Sequence, residues 1–322
     1  MNALETQIEQ LLAYSAAPTI SPEKLSDFWK KNLTKFNGIP VDVRFSKTAD
    51  LFPSVDIYSA VFYGSDDTPL HAQLLIPRFA KDEQLPCAIV YHGYGDSKGF
   101  PEKHAALLLM GVAVFAVDVR GQGGETGNHL TSTYGMASGW ITQGILDPEN
   151  SYFQAIVLDA VRAVDAAASH PRVDGSRLFT AGLSQGGGLA LMTAALCGEK
   201  LKFTSAAFPG MCHMDLGIMK STGSLSEAAF FVRKHPEHLS KVLYTLSLFD
   251  VLNHARAIKV PVHIQVGLKD PVCIPETIIA VYNRIPSRKK LAVHPFTAHE
   301  MTEHLQRRML EYVRDELFEE IK

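Results

Sequence analysis

Cysteine is scarce in this sequence of 322 residues, and the four present (Cys87, Cys197, Cys212 and Cys273) form no CxxC pair. Three of them lie in or beside apolar runs, so neither a disulfide framework nor a cysteine-rich zinc site is expected. An excess of charge of one sign is also missing: the formal net charge is −3, with no strong charge block. Nothing in that balance calls for nucleic acid or an anionic membrane as partner. No apolar run approaches membrane-spanning length. The start, Met1-Asn2-Ala3-Leu4-Glu5, lacks a basic stretch followed by an apolar one. Internal repeats, low-complexity segments and linker-like stretches are absent as well. The expectation is a soluble, reduced, cytoplasmic protein. Hydrophobic content of 46% and charged content of 20% suit a folded chain with a sizeable core.

The chain reads as strands alternating with helices. Residues 1–38 are expected to be helical in two pieces, the second opened by Ser21-Pro22-Glu23. Asp56 to Gly64 and Leu70 to Ile76 read as a hairpin around a polar turn. Residues 86–91 and 112–117 are nearly continuous apolar runs, as strands buried on both faces require, with a helix between them. Ile156, Val157, Ala160, Val161 and Val164 recur at helical spacing in 155–168. Further strands are expected at 203–208, 260–267 and 290–295, and a last helix from about Met301 to Glu319. This order predicts an α/β fold with a doubly wound, mostly parallel sheet. The whole chain, 1–322, is expected to be one domain, with an N-terminal helical extension over about 1–50 and a helical insertion over about 210–258.

The stretch Arg177 to Leu191 carries the chemistry. A short apolar run ends at Gly182 and a helical run begins near Gly187; between them lies Gly182-Leu183-Ser184-Gln185-Gly186. A serine hydroxyl is a poor nucleophile and must stand on a sharp turn where a base can reach it. Glycines two before and two after let strand and helix crowd together without a Cβ clash. A Gly/Ser-rich loop with no chemistry is the plainer reading, which the flanking strand and helix count against. In the α/β-hydrolase order an acid and then a histidine follow the serine. Asp270 stands just past one late strand and His299 just past the last. Asp250 lies inside a helical region, His294 inside a strand and His304 inside the final helix, all poorer addresses. The expected catalytic residues are therefore Ser184, Asp270 and His299, with the Gln185 N–H as one oxyanion donor and the loop His92-Gly93-Tyr94-Gly95 supplying the other. The glycine-rich Arg120-Gly121-Gln122-Gly123-Gly124 lacks the spacing of a phosphate-binding loop and reads as structural support. Arg120 and Glu300, brought to one edge of the sheet, are expected to pair and steady the His299 loop.

Arg120-Gly121-Gln122, Gly182-Leu183-Ser184-Gln185-Gly186 and His299-Glu300 together resemble the acetyl xylan esterase/cephalosporin C deacetylase family (carbohydrate esterase family seven). The likeness covers nearly the whole chain, including Asp27-Phe28-Trp29, His92-Gly93-Tyr94, Gly144-Ile145-Leu146-Asp147-Pro148 and Thr245-Leu246-Ser247-Leu248-Phe249-Asp250. It implies a serine esterase with an α/β-hydrolase fold and no metal or cofactor. Such an enzyme removes acetyl groups from xylo-oligosaccharides and often from cephalosporin C. The likeness implies a cytoplasmic homo-oligomer, commonly a hexamer, with the early hairpin at its interface. It matches Ser184, Asp270 and His299 to the triad and the Tyr94 position and Gln185 N–H to the oxyanion hole. An acyl pocket is implied near Phe208, Pro209 and Gly210. There the chain departs from the family, which usually has an Asp two before the proline and a larger residue after it; 214–240 also fits poorly. A general short-chain carboxylesterase, or another hydrolase of this fold such as a peptidase or thioesterase, is the alternative. A catalytically silent binding protein is a third reading, opposed by the complete set of three residues.

Overall fold

The apolar runs pair edge to edge. The computed structural model describes residues 2–36, 39–48, 51–81, 83–132, 135 and 139–318. Helices α1 (Ala3–Leu12) and α2 (Pro22–Leu33) open the chain as expected, the second started by Ser21, whose Oγ accepts the Lys24 N–H. Trp29 is buried and its Nε1–H donates to the Leu248 carbonyl at 3.0 Å. Strand β1 (Arg44–Thr48) corrects the reading of 1–50 as a helical extension. Only Phe45 of β1 is partly buried, so the sequence carries no alternation to betray it. Backbone pairing with β2 (Val55–Tyr63) defines this edge strand, and Lys47 on it discourages further pairing. The expected hairpin is β2 with β3 (Pro69–Pro77), antiparallel, with Ala60 opposite Ala72.

The buried runs then form β4 (Leu85–Tyr91) and β5 (Ala113–Val117), with the short α3 (Ala105–Leu109) between them. Helix α4 (Tyr152–Ala168) leads into β6 (Val173–Leu183), α5 (Gln185–Cys197) and β7 (Phe203–Ala207). The apolar face expected on α4 is buried, and so is nearly all the rest of it, because it packs against β4, β6, α5 and a later helix of the insertion. That insertion comprises α6 (Met214–Lys220), α7 (Leu225–Lys234), α8 (Leu239–Phe249) and α9 (Val251–His254). Buried Asp250 ties its two ends together, accepting the N–H groups of His213 (2.7 Å), Met214 (2.6 Å) and Leu252 (2.9 Å). Strand β8 (Val262–Gly267), α10 (Pro275–Arg284), β9 (Lys289–His294) and α11 (Glu303–Phe318) complete the described chain.

The nine strands lie in the order β1-β2-β3-β5-β4-β6-β7-β8-β9; β5, β4 and β6 to β9 run parallel. The chain winds outward in both directions from β4, so the carboxyl ends of β4 and β6 flank a topological switch point, where ligand crevices form. Those ends lead into His92 and Ser184. Among the described residues no helix is long and apolar enough to cross a membrane.

Two core histidines make stability depend on pH. Burial pushes His254 and His263 down to about 4, well below the ordinary histidine value; each is 4% exposed. Between about pH 4 and 6.5 the unfolded chain binds a proton at each site and the folded chain does not, so stability rises with pH through this window and is lost as pH falls. Lowering pH from 7 to 5 is expected to cost about 2 kcal/mol for each of the two. Denaturant unfolding at a series of pH values checks this. His263→Leu should flatten the slope, and a flat profile in the parent protein would contradict the neutral buried state.

Candidate active site

Ser184 sits between β6 and α5 at φ +58° and ψ −122°, a left-handed backbone conformation that L-residues rarely adopt. Its neighbours explain why the turn closes so sharply. A Cβ on Gly182 would lie 2.2 Å from the Gly186 carbonyl carbon, and one on Gly186 would lie 2.0 Å from the Tyr91 carbonyl oxygen. No side chain fits at either position. The Ser184 N–H donates to the Ala207 carbonyl at 2.9 Å, and the Ser184 carbonyl accepts from Gly188 and Gly210.

The three residues expected from chain order stand in one hydrogen-bonded series. Ser184 Oγ is 2.9 Å from His299 Nε2, and His299 Nδ1 is 2.7 Å from Asp270 Oδ2. Asp270 is 3% exposed, and its other oxygen accepts the N–H groups of Val272 and Cys273 at 2.8 and 2.9 Å. A carboxylate held in that way fixes Nδ1–H on the ring, which leaves the Nε2 lone pair facing the serine hydroxyl. The alternatives have other tasks. Asp250 caps α9, and His294 Nε2 lies 3.2 Å from Gln265 Oε1.

Two backbone donors of the segments at this edge have no acceptor among the described residues: the Gln185 N–H, at the start of α5, and the Tyr94 N–H, in the loop after β4. The space a Cβ on Gly93 would occupy lies 3.8 Å from Ser184 Cβ, so that loop approaches the serine closely. Gln122 links the two segments. Its Oε1 accepts the Gly95 N–H at 2.8 Å, and its Nε2 donates to Gln185 Oε1 at 2.9 Å and to Tyr152 Oη at 2.8 Å. Tyr152 Oη in turn donates to the Arg120 carbonyl at 2.6 Å.

Arg120 does not pair with Glu300, contrary to the sequence-based expectation. It is fully buried and forks onto Asp159 through Nε and Nη2 (2.6 and 2.7 Å) and onto Asp66 through Nη1 (2.6 Å), while Glu300 is exposed. Burial works against the guanidinium charge, yet the two carboxylates hold its pKa above the ordinary value. Sequence order brings both residues to one sheet edge, but Arg120 turns inward beneath the hairpin.

A cavity of about 30 Å³ opens beside the serine, lined by Ser184, Gln185, Pro209, Gly210, Leu225 and Cys273 among others. Of the three residues expected at an acyl pocket, Pro209 and Gly210 line this cavity. Phe208 does not: it sits at φ +45°, fully buried, with its ring 6.0 Å from that of His299, which it backs. A Cβ on Gly210 would lie 3.4 Å from the Gln185 nitrogen, so bulk there points at an open backbone donor as much as into the cavity.

Two further residues of the site carried no sequence signal. Cys273 Sγ lies 3.9 Å from Ser184 Oγ. Glu227, on α7, receives the Tyr94 hydroxyl at 2.8 Å, and the Trp140 N–H donates to that same hydroxyl at 3.0 Å. Burial raises the Glu227 carboxyl above its ordinary range; burial and the Glu227 bond raise the Tyr94 phenol. Glu227 lies in the region least like the resembled family, and a lone glutamate on a helix reads as a solvated face.

The family model for acetyl xylan esterase (AXE1) matches residues 1–316. An acetyl xylan esterase from Paenibacillus sp. R4 superposes with a TM-score of 0.91 at 33% identity, over 95% of this chain and 98% of its own. Acetyl xylan esterase 1 from Thermoanaerobacterium sp. JW/SL YS485 does so at 0.89 and 27%, over 96% and 98%. Acetyl esterase Axe7A of Xylanibacter ruminicola is 28% identical over 290 residues, 87% of this chain; the chain spans 64% of that curated relative's length.

Gln122→Leu removes the link between the segments that carry the two open donors. A shift on the scale of 1 Å in such a donor costs about 100-fold, so kcat for an activated acetyl ester is expected to fall by about 10- to 100-fold with KM little changed. Steady-state kinetics check this; kcat within twofold of the parent enzyme would show that the donors are held without Gln122.

Proposed function

The chain belongs to the acetyl xylan esterase family, and from that premise we propose that it is a serine esterase that removes acetyl groups from acetylated xylo-oligosaccharides and related small esters such as cephalosporin C. The observation that carries the reading is the hydrogen-bonded series Ser184–His299–Asp270, with the unpaired Gln185 and Tyr94 N–H groups on the two segments beside the serine. In the proposed reaction His299 Nε2 takes the hydroxyl proton as Ser184 Oγ attacks the acetyl carbonyl. The N–H groups of Gln185 and Tyr94 receive the negative charge that develops on the carbonyl oxygen. Collapse expels the sugar alcohol, which takes the proton from His299 and leaves acetyl on Ser184. Water, deprotonated by the same histidine, then releases acetate. Asp270 orients the imidazole and stabilises its charged form throughout.

The size of the cavity supports acetyl as the acyl group. The cavity is small and lies directly beside the nucleophile, lined by Ser184, Gly210 and Leu225, which suits a short acyl group. The proposal extends to a cytoplasmic homo-oligomer. The hairpin itself buries most of its apolar side chains, including Phe62, Leu70 and Leu74, but Phe79 and Leu109, which line one groove with Val55 of β2, are each more than half exposed. That apolar group favours assembly at this end of the sheet.

Ser184→Ala is expected to lower acetate release from acetylated xylo-oligosaccharides by about 10⁶-fold, with a residual rate from the remaining donors. More than a tenth of the parent activity in that variant would sink the assignment. Across esters of one alcohol, kcat/KM is expected to stay within about tenfold from acetyl to propionyl and to fall steeply at butyryl and hexanoyl, since a methylene is worth about 10–200-fold in an apolar pocket. Hexanoyl hydrolysed as well as acetyl would favour a general esterase instead.

A further inference from the structure

We propose that the mouth of this site is also an inhibitory binding site for Zn²⁺ and similar soft divalent cations, with Cys273 Sγ and His299 Nε2 as its protein ligands. Cys273, His299 and Asp270 each offer a donor atom within 4.8 Å of those of the other two, and among the described residues this is the one such group of three. The donor set suits zinc: a thiolate and an imidazole are the ligands it takes most readily, whereas Mg²⁺ and Ca²⁺ prefer oxygen. The imidazole is already prepared as a ligand. Asp270 accepts Nδ1–H at 2.7 Å, the carboxylate–histidine arrangement that fixes the tautomer and leaves the Nε2 lone pair free for a metal. Both protein ligands flank one point, since Ser184 Oγ lies 3.9 Å from Cys273 Sγ and 2.9 Å from His299 Nε2. A tetrahedral zinc with bonds of about 2.3 Å to sulfur and 2.0 Å to nitrogen needs those donors about 3.5 Å apart, against a spread of no more than 4.8 Å for the donor atoms of the group. Water or the serine oxygen completes the coordination.

The binding step balances. Zn²⁺ replaces the thiol proton of Cys273, which passes to solvent, and takes the Nε2 lone pair, which gives up its hydrogen bond with the Ser184 hydroxyl. Without that lone pair the histidine cannot deprotonate the serine. Access is by the route that substrate takes, since Cys273 and Ser184 line the same open cavity. All four cysteines are buried and free of disulfides, and among the described residues Cys273 alone joins such a group of donors.

Inhibition rests on the esterase reading, but metal binding does not, so the two are tested apart. Co²⁺, which takes zinc sites and shows its ligands in its spectrum, is titrated into the full-length Ser184→Ala protein. A saturable near-ultraviolet thiolate-to-cobalt charge-transfer band, displaced by Zn²⁺ and missing from the Ser184→Ala/Cys273→Ala and Ser184→Ala/Cys273→Ser proteins, is expected. In the active enzyme Zn²⁺ should inhibit acetyl-ester hydrolysis reversibly, with activity restored by a chelator, while Mg²⁺ has no effect. Cys273→Ala should need at least tenfold more Zn²⁺ for half inhibition, measured against its own zinc-free rate; Cys273→Ser serves if the alanine variant folds poorly. A protein that hydrolyses the ester but shows no band, or a Cys273 variant inhibited at the parent's zinc concentration, overturns the site. A band in a chain without esterase activity would leave the site standing and remove the esterase reading instead.

Discussion

Backbone crowding at the serine turn is the constraint on which the rest of the site depends. Gly186 lies so close to the Tyr91 carbonyl that even one carbon atom would force β4 and α5 apart. That contact sets the distance between the loop leaving β4, which carries the Tyr94 N–H, and the helix start that carries the Gln185 N–H. The same turn is bonded on its other side to Ala207 and Gly210, so the segment after β7 is placed by the serine as well. Three loops from three strands thus converge because two glycines remove the volume that would separate them. The left-handed conformation at Ser184 persists because its neighbours over-determine it.

A second layer keeps those loops from relaxing, and it is built from buried charge. Breaking a buried pair by removing one partner costs about 3–5 kcal/mol, because the other charge is stranded without water. Arg120, with no side-chain exposure, is bound to Asp159 of α4 and to Asp66 in the hairpin turn. Its backbone carbonyl accepts the Tyr152 hydroxyl, and that hydroxyl meets Gln122, which reaches both donor segments. The hairpin, far from the serine in sequence, is therefore mechanically continuous with it. A Cβ on Gly64 would lie 2.6 Å from Arg120 Nη2, so the hairpin turn is shaped around this guanidinium.

What the sequence made legible follows from what each signal encodes. Buried parallel strands announce themselves as apolar runs, and strand ends in this fold carry the reactive groups, so Ser184, Asp270 and His299 could be picked by order alone. Order also places Arg120 and Glu300 at one edge, but it says nothing about whether a side chain turns toward the crevice or beneath it, and the proposed pair fails on that point. The same limit applies to Phe208: its position beside the cavity was readable, its positive φ was not, and that dihedral sends the ring behind His299. Strand β1 was hidden because an edge strand needs only backbone partners. Glu227 and Cys273 were hidden because their importance comes from contacts across 133 and 89 residues of chain, which no local pattern records.

Those contacts bear on how acyl size and rate are related on the proposed reading. The first turn of α7 contributes Ser224 and Leu225 to the wall of the cavity. Glu227, less than one turn further on, holds the hydroxyl of Tyr94, the residue whose backbone N–H faces the developing charge. The wall that limits the acyl group and a donor that stabilises the transition state share one anchor. A longer acyl chain makes room only by pushing that wall outward, and the displaced helix pulls on Tyr94 through Glu227. The penalty for a larger acyl group then falls partly on transition-state stabilisation, which appears in kcat, and not solely on ground-state binding. Cys273 and Ile274 line the same cavity but make no bond to Tyr94 or Glu227, so enlarging it there leaves the Glu227–Tyr94 contact in place. Wider acyl acceptance gained there keeps the rate that the same gain made through α7 would lose.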